Sequence, residues 1–264
     1  MRAWMRGMVG AGAAAIVVAL ASHPQPAAAD LSLDVTPAQY EFQANAGTQT
    51  TFPIMVRNVG NGTVHVVVTL ADVDTSAANG SARFLPPGTK KFSASRYSAV
   101  NPREFDIPED GVQQVRYTVS MPATARGEYA SFVFFTTRPP RKPGGFGIAE
   151  SVASRLYAVS GDAIPGGAVD GVSSLPVLSG REYSVKFLNT GSMHEYVGGV
   201  VNVLKDGSPV DQVTLPKHRL VPRGEALTVT AQGKKLPAGT YSAIAIVDFG
   251  GSSRVAGKTT FVVQ

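Results

Sequence analysis

The chain contains no cysteine, a single tryptophan and few histidines. Without cysteine, disulfides and thiolate metal ligands are excluded, so core packing has to hold the fold together. After His23 the remaining histidines are His65, His194 and His218, and none of them forms a His-x-His or His-x-x-x-His pair. The sequence therefore predicts no metal site and no cofactor. His65, on the alternate face of a strand-like segment, is predicted to be a surface residue.

Motifs for covalent or phosphate chemistry are also missing. The chain has no Gly-x-Ser-x-Gly elbow and no Gly-x-x-x-x-Gly-Lys-Ser/Thr loop, and no spacing indicates a Ser/His/Asp triad. The formal net charge of +5 is small and the basic residues are dispersed, which argues against a nucleic-acid partner. The sequence therefore predicts a protein that is not an enzyme and does not bind nucleic acid.

Few acidic residues lie close together in the sequence, and one such pair is a candidate calcium ligand. Asp72 and Asp74 flank Val73, so their carboxylates share one face of an extended segment. A calcium loop usually supplies more oxygen ligands, and only Asn79 is near in sequence. We interpret both acids as solvated loop residues, with calcium binding as the open alternative.

Long apolar runs are confined to the N-terminus. Arg2 and Arg6 precede an apolar run from Met8 to Ala21, and Ala27-Ala28-Ala29 provides a small-residue cleavage site. The run is shorter than the roughly 20 residues that a membrane span needs. The sequence therefore predicts a cleaved signal peptide over residues 1–29, no transmembrane segment in the mature chain, and a periplasmic or extracellular location.

Glycine, proline and β-branched residues are abundant, which is typical of all-β proteins. Thr51–Leu70 alternates apolar and polar residues on either side of a turn at Asn58–Gly60, and Glu182–Leu204 repeats this plan around Asn189–Gly191. Alternation with a period of two indicates strands that bury one face. The Asn-x-Gly steps are expected to supply the left-handed backbone of the turns.

A second shared block closes each half of the chain. Met121-Pro122 is followed by Gly127-Glu128-Tyr129 and an apolar strand, and Leu236-Pro237 is followed by Gly239-Thr240-Tyr241 and another. This order suits the corner before strand F of an immunoglobulin-like sandwich, where a tyrosine hydroxyl bonds to nearby backbone. The alternative is an ordinary tyrosine at a strand entry.

The two copies differ in length. Asn58 and Asn189 are 131 positions apart, whereas Tyr129 and Tyr241 are 112 apart, so the first copy holds 19 additional residues. We place them between residues 72 and 102, where loops and short edge strands tolerate growth.

These patterns predict an all-β fold of two tandem immunoglobulin-like β-sandwich domains. The N-terminal domain spans residues 30–160, the linker residues 161–167, and the C-terminal domain residues 168–264. Ile148–Ser160 is the predicted last strand of the first domain. Asp206-Gly207 is predicted to be a two-residue hairpin turn.

The first domain contains four short motifs in order, which are Phe105–Pro108, Gln113–Arg116, Met121-Pro122 and Glu128–Phe132. In these motifs it resembles periplasmic pilus chaperones. In that family a strand with arginine, a proline turn and an Arg-Glu-Ser entry into strand F recur. Ile148–Val159 resembles the long edge strand G, which those chaperones donate to an immature subunit.

The resemblance implies a binding site. Arg155 lies where the family places a basic residue that binds the C-terminal carboxylate of the subunit. A second basic residue early in strand A is usual in the family, and Leu31–Tyr40 contains none. Strand addition at this edge would use Ile148, Val152 and Leu156 as side-chain contacts, with surface or pilus-type subunits as partners.

The second domain contains a different set of motifs, which are Asn189–Gly191, Leu236–Tyr241 and Val247–Gly251. In these it is similar to the two-domain extracellular proteins that accompany WxL cell-wall proteins. This similarity too implies an exported protein that binds other surface proteins.

A basic loop over residues 138–145 offers an alternative binding surface. Arg138, Arg141 and Lys142 could meet a cell-wall or other surface polymer. A solvated, proline-stiffened loop between two strands is the simpler interpretation.

Overall fold

The computed structural model describes residues 33–74, 82–138 and 148–264. The predicted signal peptide and Asn79 lie outside these residues. Within them, all regular structure is strand except for a short 3-10 turn at Ser95–Tyr97, and no helix is long and apolar enough to cross a membrane. The predicted all-β class is confirmed.

Ten strands build the first sandwich. In chain order they are β1 (Leu33–Thr36), β2 (Gln39–Gln43), β3 (Gln49–Asn58), β4 (Val64–Asp74), β5 (Arg83–Leu85), β6 (Ser98–Asn101), β7 (Glu104–Ile107), β8 (Val112–Ser120), β9 (Gly127–Arg138) and β10 (Ser151–Ser160). One sheet has the order β1-β3-β8-β6, and the other has the order β2-β10-β9-β4-β5, with β7 also paired to β4.

Seven strands build the second sandwich. They are β11 (Gly167–Val177), β12 (Gly180–Asn189), β13 (Glu195–Lys205), β14 (Ser208–Val221), β15 (Ala226–Gly233), β16 (Gly239–Asp248) and β17 (Val255–Val263). Their sheets have the orders β11-β12-β15 and β14-β13-β16-β17. Residues 31–264 form one compact unit, and the division into domains at residues 161–167 stays a prediction.

Side chains that alternate between inward and outward positions along the strands form the two hydrophobic cores, as the period-two pattern of the sequence predicts. In β3, Ile54 and Val56 point inward, and in β9 Val133 and Phe135 meet them from the facing sheet. Each such side chain contributes about 2 kcal/mol when fully buried. A separate cluster that includes Tyr183, Phe187 and Val201 fills the second sandwich.

The Asn-x-Gly steps are turns, but not for the expected reason. Asn58 accepts from the N–H of Gly60 and donates to the carbonyls of Gly62 and Ile107. Asn189 makes the equivalent bonds to Gly191, Met193 and Val221. The prediction of left-handed backbone at Gly60 and Gly191 is wrong, because neither has positive φ. The buried asparagine side chain ties each turn together instead.

The predicted hairpin at Asp206-Gly207 is present. Lys205 pairs with Ser208, and both turn residues have positive φ, as a type I′ turn requires.

Only the second of the two tyrosines forms the corner. Tyr241 is buried, and its hydroxyl donates to the carbonyl of Pro237 at 2.8 Å. The corner prediction for Tyr129 is wrong, since its hydroxyl has no hydrogen-bond partner among the described residues. Its ring packs instead against Phe92, with the guanidinium of Arg223 5.8 Å from the ring centroid.

Removing the two hydroxyls should therefore have unequal effects. We expect Tyr241→Phe to lower the free energy of unfolding by about 1 kcal/mol, because it leaves the Pro237 carbonyl without its partner. Tyr129→Phe is the matched control and should change stability by less than about 0.5 kcal/mol. Urea denaturation of both variants measures the difference, and equal losses would contradict the assignment of the corner to Tyr241.

Candidate functional site

The predicted edge strand is only partly an edge. β10 pairs antiparallel with β9 on one side, from Ser151 to Ser160. On its other side β2 pairs with it in parallel, from Arg155 opposite Gln39 to Val159 opposite Gln43. The prediction of a free edge along the whole of Ile148–Val159 is therefore wrong for Arg155–Val159. The chain reaches this position by crossing from the β1 sheet to the other sheet after Thr36.

The remaining part of β10 is open. On the side away from β9, no strand of the described chain pairs with Ser151–Ser154. The N–H of Arg155 points to that side, where it donates to the carbonyl of Ala38. Because alternate residues of a strand direct their backbone groups to the same side, Ser151 and Ala153 present theirs to the open side.

The predicted apolar contacts divide between surface and core. Ile148 lies just before β10 with 75% of its side chain exposed. Val152 is half-buried and packs against the core of the first sandwich. Leu156 is fully buried in that core, so the prediction that it contacts a partner is wrong.

Arg155 lies on the opposite face of β10, half-buried at the border of the open segment. Its guanidinium lies over the ring of Phe132, 5.7 Å from the centroid, and Nη1 donates to the Gln39 side chain at 3.4 Å. Its buried Nε has no hydrogen-bond partner. Within residues 33–74, 82–138 and 148–264, no carboxylate forms an ion pair with Arg155. The guanidinium is thus positioned by aromatic and amide contacts and has no acidic partner among these residues.

Of the basic residues predicted in the loop over 138–145, only Arg138 lies among the described residues. Arg138 ends β9, is exposed, and pairs with Glu104 at 3.3 Å. Arg141 and Lys142 lie outside the described residues.

Asp72 and Asp74 are not solvated loop acids, so that interpretation is wrong. Asp72 is buried at the end of β4 and accepts from the hydroxyl of Ser93 and the N–H of Lys90. Asp74 pairs with Arg83 and with Lys90 Nζ. These carboxylates therefore stabilise the loop that follows β5.

A buried polar cluster joins the two sandwiches. Glu128, near the start of β9, accepts from the backbone N–H of His194 at 3.0 Å and from its Nδ1 at 2.6 Å. The imidazole stacks on Tyr157, with ring centroids 4.1 Å apart. Burial raises the pKa of Tyr157, so the stacked phenol stays neutral. Glu128 and His194 are both almost completely buried.

A second group of contacts lies on the same face of the first sandwich. Arg223, in the loop after β14, donates to the carbonyls of Arg126 and Glu128 and covers the ring of Phe92. Lys90 pairs with Glu225 at 2.9 Å. A cavity of about 250 Å³ lies between these contacts and the sheet.

The segment after β10 is also held to the second sandwich. The N–H of Gly166 donates to the Glu195 carboxylate at 2.6 Å, and burial raises the pKa of Glu195 to about 7. Gly191 has to be glycine here, because a Cβ would lie 2.6 Å from the nitrogen of Gly166. The predicted linker is therefore hydrogen-bonded along part of its length.

Sequence reasoning missed the residues at this junction. Glu128 and Tyr157 read as ordinary strand residues, and His194 has no histidine or acid at a metal-binding or catalytic spacing. Their only sequence signal is an acid, Glu128, at the start of a mostly apolar strand. An acid in that setting is expected to have a buried partner.

The sheet orders define a protein of two β-sandwiches, and comparisons with known proteins bear on that fold. No protein-family model matches the sequence, and no curated protein matches it. Among solved structures, the class 5 fimbriae chaperone CfaA matches with a TM-score of 0.50 and 8% identity, over 86% of this chain and 98% of that one.

Another match comes from a chaperone–tip adhesin complex described as vital for synergistic activation of CFA/I fimbriae biogenesis. It has a TM-score of 0.52 and 9% identity, over 87% of this chain and 99% of that one. The predicted resemblance to periplasmic pilus chaperones is thus confirmed at the level of the fold. These neighbours are chaperones rather than enzymes. The resemblance of the second domain to WxL-associated proteins stays a prediction.

Proposed function

We propose that the protein is a chaperone that holds surface or pilus-type subunits by strand addition. The observation that carries the proposal is the open backbone of Ser151–Ser154, which lies directly beside Arg155. An extended segment placed there would bond to the outward backbone groups of Ser151 and Ala153. It would continue the sheet on the side that β2 covers farther along β10.

Arg155 supplies the charged part of this site. An arginine binds a carboxylate through two parallel hydrogen bonds, and a chain terminus offers that group at the end of a strand. The guanidinium borders the open segment and has no acidic partner in the described chain. A subunit whose last residue reached Arg155 would therefore be fixed in register as well as bound.

Ile148 supplies an apolar contact for the same site. Its exposed side chain precedes the open segment and could enter an apolar groove of an incomplete subunit. Side chains along one edge select the partner, while the backbone bonds supply sequence-independent affinity.

The rest of the proposal concerns location. A chaperone of this kind acts where unassembled surface proteins occur, which agrees with the signal peptide predicted over residues 1–29. We propose a periplasmic or extracellular location on that basis. Polymer binding through residues 138–145 is not favoured, because Arg138 is already paired with Glu104.

A proline in the open segment tests strand addition. Ala153→Pro removes an N–H that points to the open side, where proline is tolerated because β9 loses no hydrogen bond. We expect it to reduce capture of co-expressed pilus-type subunits about 10-fold or more in a pull-down, with little change in the melting temperature. Ala153→Ser keeps the N–H and is the matched control. Undiminished capture by folded Ala153→Pro would refute strand addition at β10.

A further inference from the structure

The hairpin that joins β11 to β12 has an apolar tip. Leu175, Pro176 and Val177 end β11, and Leu178 and Ser179 form the turn before β12. Leu178 is 100% exposed and Leu175 is 58% exposed. Pro176 is exposed as well, and Val177 is half-buried. We call residues 175–178 the apolar tip, because four consecutive apolar residues meet solvent there.

Neither the turn nor the core accounts for these side chains. Two-residue hairpin turns favour Asn, Asp and Gly, whose side chains or backbones suit the turn, and leucine has neither property. Among the described residues, the hydrophobic cluster that fills the second sandwich includes none of the apolar tip. Runs of exposed apolar residues lower solubility, so a run of four indicates a surface that contacts an apolar partner.

The shape of the apolar tip indicates what that partner is. A hairpin turn is convex and offers no groove to a peptide, but it can enter the boundary between the headgroups and the acyl chains of a bilayer. Insertion to that depth leaves the backbone of the turn among hydrated headgroups, so Leu178 and Ser179 keep water as a hydrogen-bond partner. The apolar tip therefore fits a lipid surface better than an extended peptide.

Two lysines lie beside the apolar tip. The segment that follows β15 runs against Gly180, so that a Cβ on Gly180 would lie 3.1 Å from the backbone nitrogen of Lys235. The side chains of Lys234 and Lys235 are exposed. Within the part of the chain that the structure describes, neither forms an ion pair, so both ammonium groups are available to lipid phosphates.

The nearby acids reduce the positive charge but do not pair with these lysines. Glu182 lies opposite Leu175 in the hairpin. Asp211 accepts from the backbone N–H of Lys234 at 3.2 Å rather than from its ammonium group. Electrostatic attraction is thus modest, and insertion of the apolar tip has to supply most of the binding.

We propose that the apolar tip, together with Lys234 and Lys235, attaches the protein reversibly to an anionic phospholipid surface. Apolar and cationic groups act together at such surfaces, because one of them alone gives only marginal binding. The surface lies on the second sandwich and includes no residue of β10. It therefore does not depend on the proposed chaperone function.

Sedimentation with phospholipid vesicles tests the apolar part of the surface. The chain should begin at Asp30, so that the apolar run over residues 8–21 does not contribute, since residues 31–264 form one compact unit. With equal amounts of phosphatidylcholine and phosphatidylglycerol, the bound fraction should rise with lipid concentration to saturation. Leu178→Ser should weaken binding about 10-fold, because the most exposed apolar side chain becomes polar.

The charged part of the surface is tested with a double variant. Lys234→Gln with Lys235→Gln should weaken binding to the mixed vesicles about 10-fold. Binding to vesicles of phosphatidylcholine alone should be weaker than to the mixed vesicles and the same for this variant and wild type. Raising the NaCl concentration should weaken binding of wild type to the mixed vesicles, because salt screens exposed charges.

Phe84→Ser is the matched control. Phe84 is 63% exposed on β5 of the first sandwich, so this change removes a comparable apolar side chain far along the chain from the tip. It should leave vesicle binding unchanged, and Leu178→Ser should leave subunit capture unchanged. Three results would each overturn the proposal: no saturable binding to the mixed vesicles, equal binding to phosphatidylcholine alone, or equal losses in Leu178→Ser and Phe84→Ser.

Discussion

Replacing Arg155 with alanine should weaken subunit capture about 30-fold, which corresponds to about 2 kcal/mol. The guanidinium borders the open segment of β10 without an acidic partner in the described chain, so a bound carboxylate would lose its only charged contact. Folding should change little, since the side chain contributes mainly a stacking contact with Phe132, worth about 0.5–1 kcal/mol. Arg155→Lys should recover only part of the affinity, because lysine cannot form the paired hydrogen bonds.

Two controls test whether the loss is specific to Arg155 and to a C-terminal carboxylate. Arg138→Ala removes an exposed arginine of the same sheet and should leave capture unchanged. A subunit with an amidated C-terminus should bind wild type and Arg155→Ala equally weakly. If Arg155→Ala captured the unmodified subunit as well as wild type does, Arg155 would have no anchoring role. A loss confined to Arg138→Ala would favour the basic loop.

The second large effect concerns the junction. Glu128→Ala should lower the free energy of unfolding by about 3 kcal/mol, because it leaves the buried N–H and Nδ1 of His194 without an acceptor. Urea denaturation measures this loss. Glu128→Gln keeps the volume and an acceptor oxygen, so its loss should be smaller.

Glu41→Gln is the control for the junction. It should unfold at the same urea concentration as wild type, since Glu41 is exposed and has no hydrogen bond in the described chain. A stability of Glu128→Ala within about 0.5 kcal/mol of wild type would mean that the buried pair does not hold the sandwiches together.

Local sequence patterns predicted local structure well. Asn58 and Asn189 mark equivalent turns, Asp206-Gly207 forms its hairpin, and Tyr241 forms its corner. The hairpin and the corner involve only residues close in sequence, whereas Asn58 and Asn189 also bond to the distant Ile107 and Val221. In each feature the chemistry of asparagine, glycine or tyrosine restricts the local backbone. The repeat predicted the architecture because both copies contain the asparagine turn, although only the second copy forms the tyrosine corner.

The candidate site was harder to predict. Alternation showed that Val152 and Leu156 share one face of β10, but it could not show that this face is the core. Ser154 lies between them and is buried, and its hydroxyl donates to the carbonyl of Pro37. A polar residue in the middle of the strand made the inner face resemble a surface.

Long-range pairing was the other source of error. Nothing local to Gln39 indicates that β2 joins β10, which is 116 residues away. Glu128 and His194 are separated by 66 residues and belong to different sandwiches. Such contacts depend on the assembled fold. Spacing in the sequence therefore could not predict that β2 covers half of the β10 edge, or that Glu128 bonds to His194.

The pairing of β2 with β10 has a consequence for the order of folding. β2 is made early in synthesis, but its partner strand is among the last of the first sandwich, so the loop between them must close over more than a hundred residues. Closing so long a loop is slow compared with forming the hairpin-like neighbours of the sheet. Until it closes, the outer edge of β10 is exposed along its full length. The nascent chain therefore passes through a state in which more of the β10 edge is exposed than in the folded protein. Pairing of β2 with β10 then covers part of that edge and reduces the risk of aggregation there.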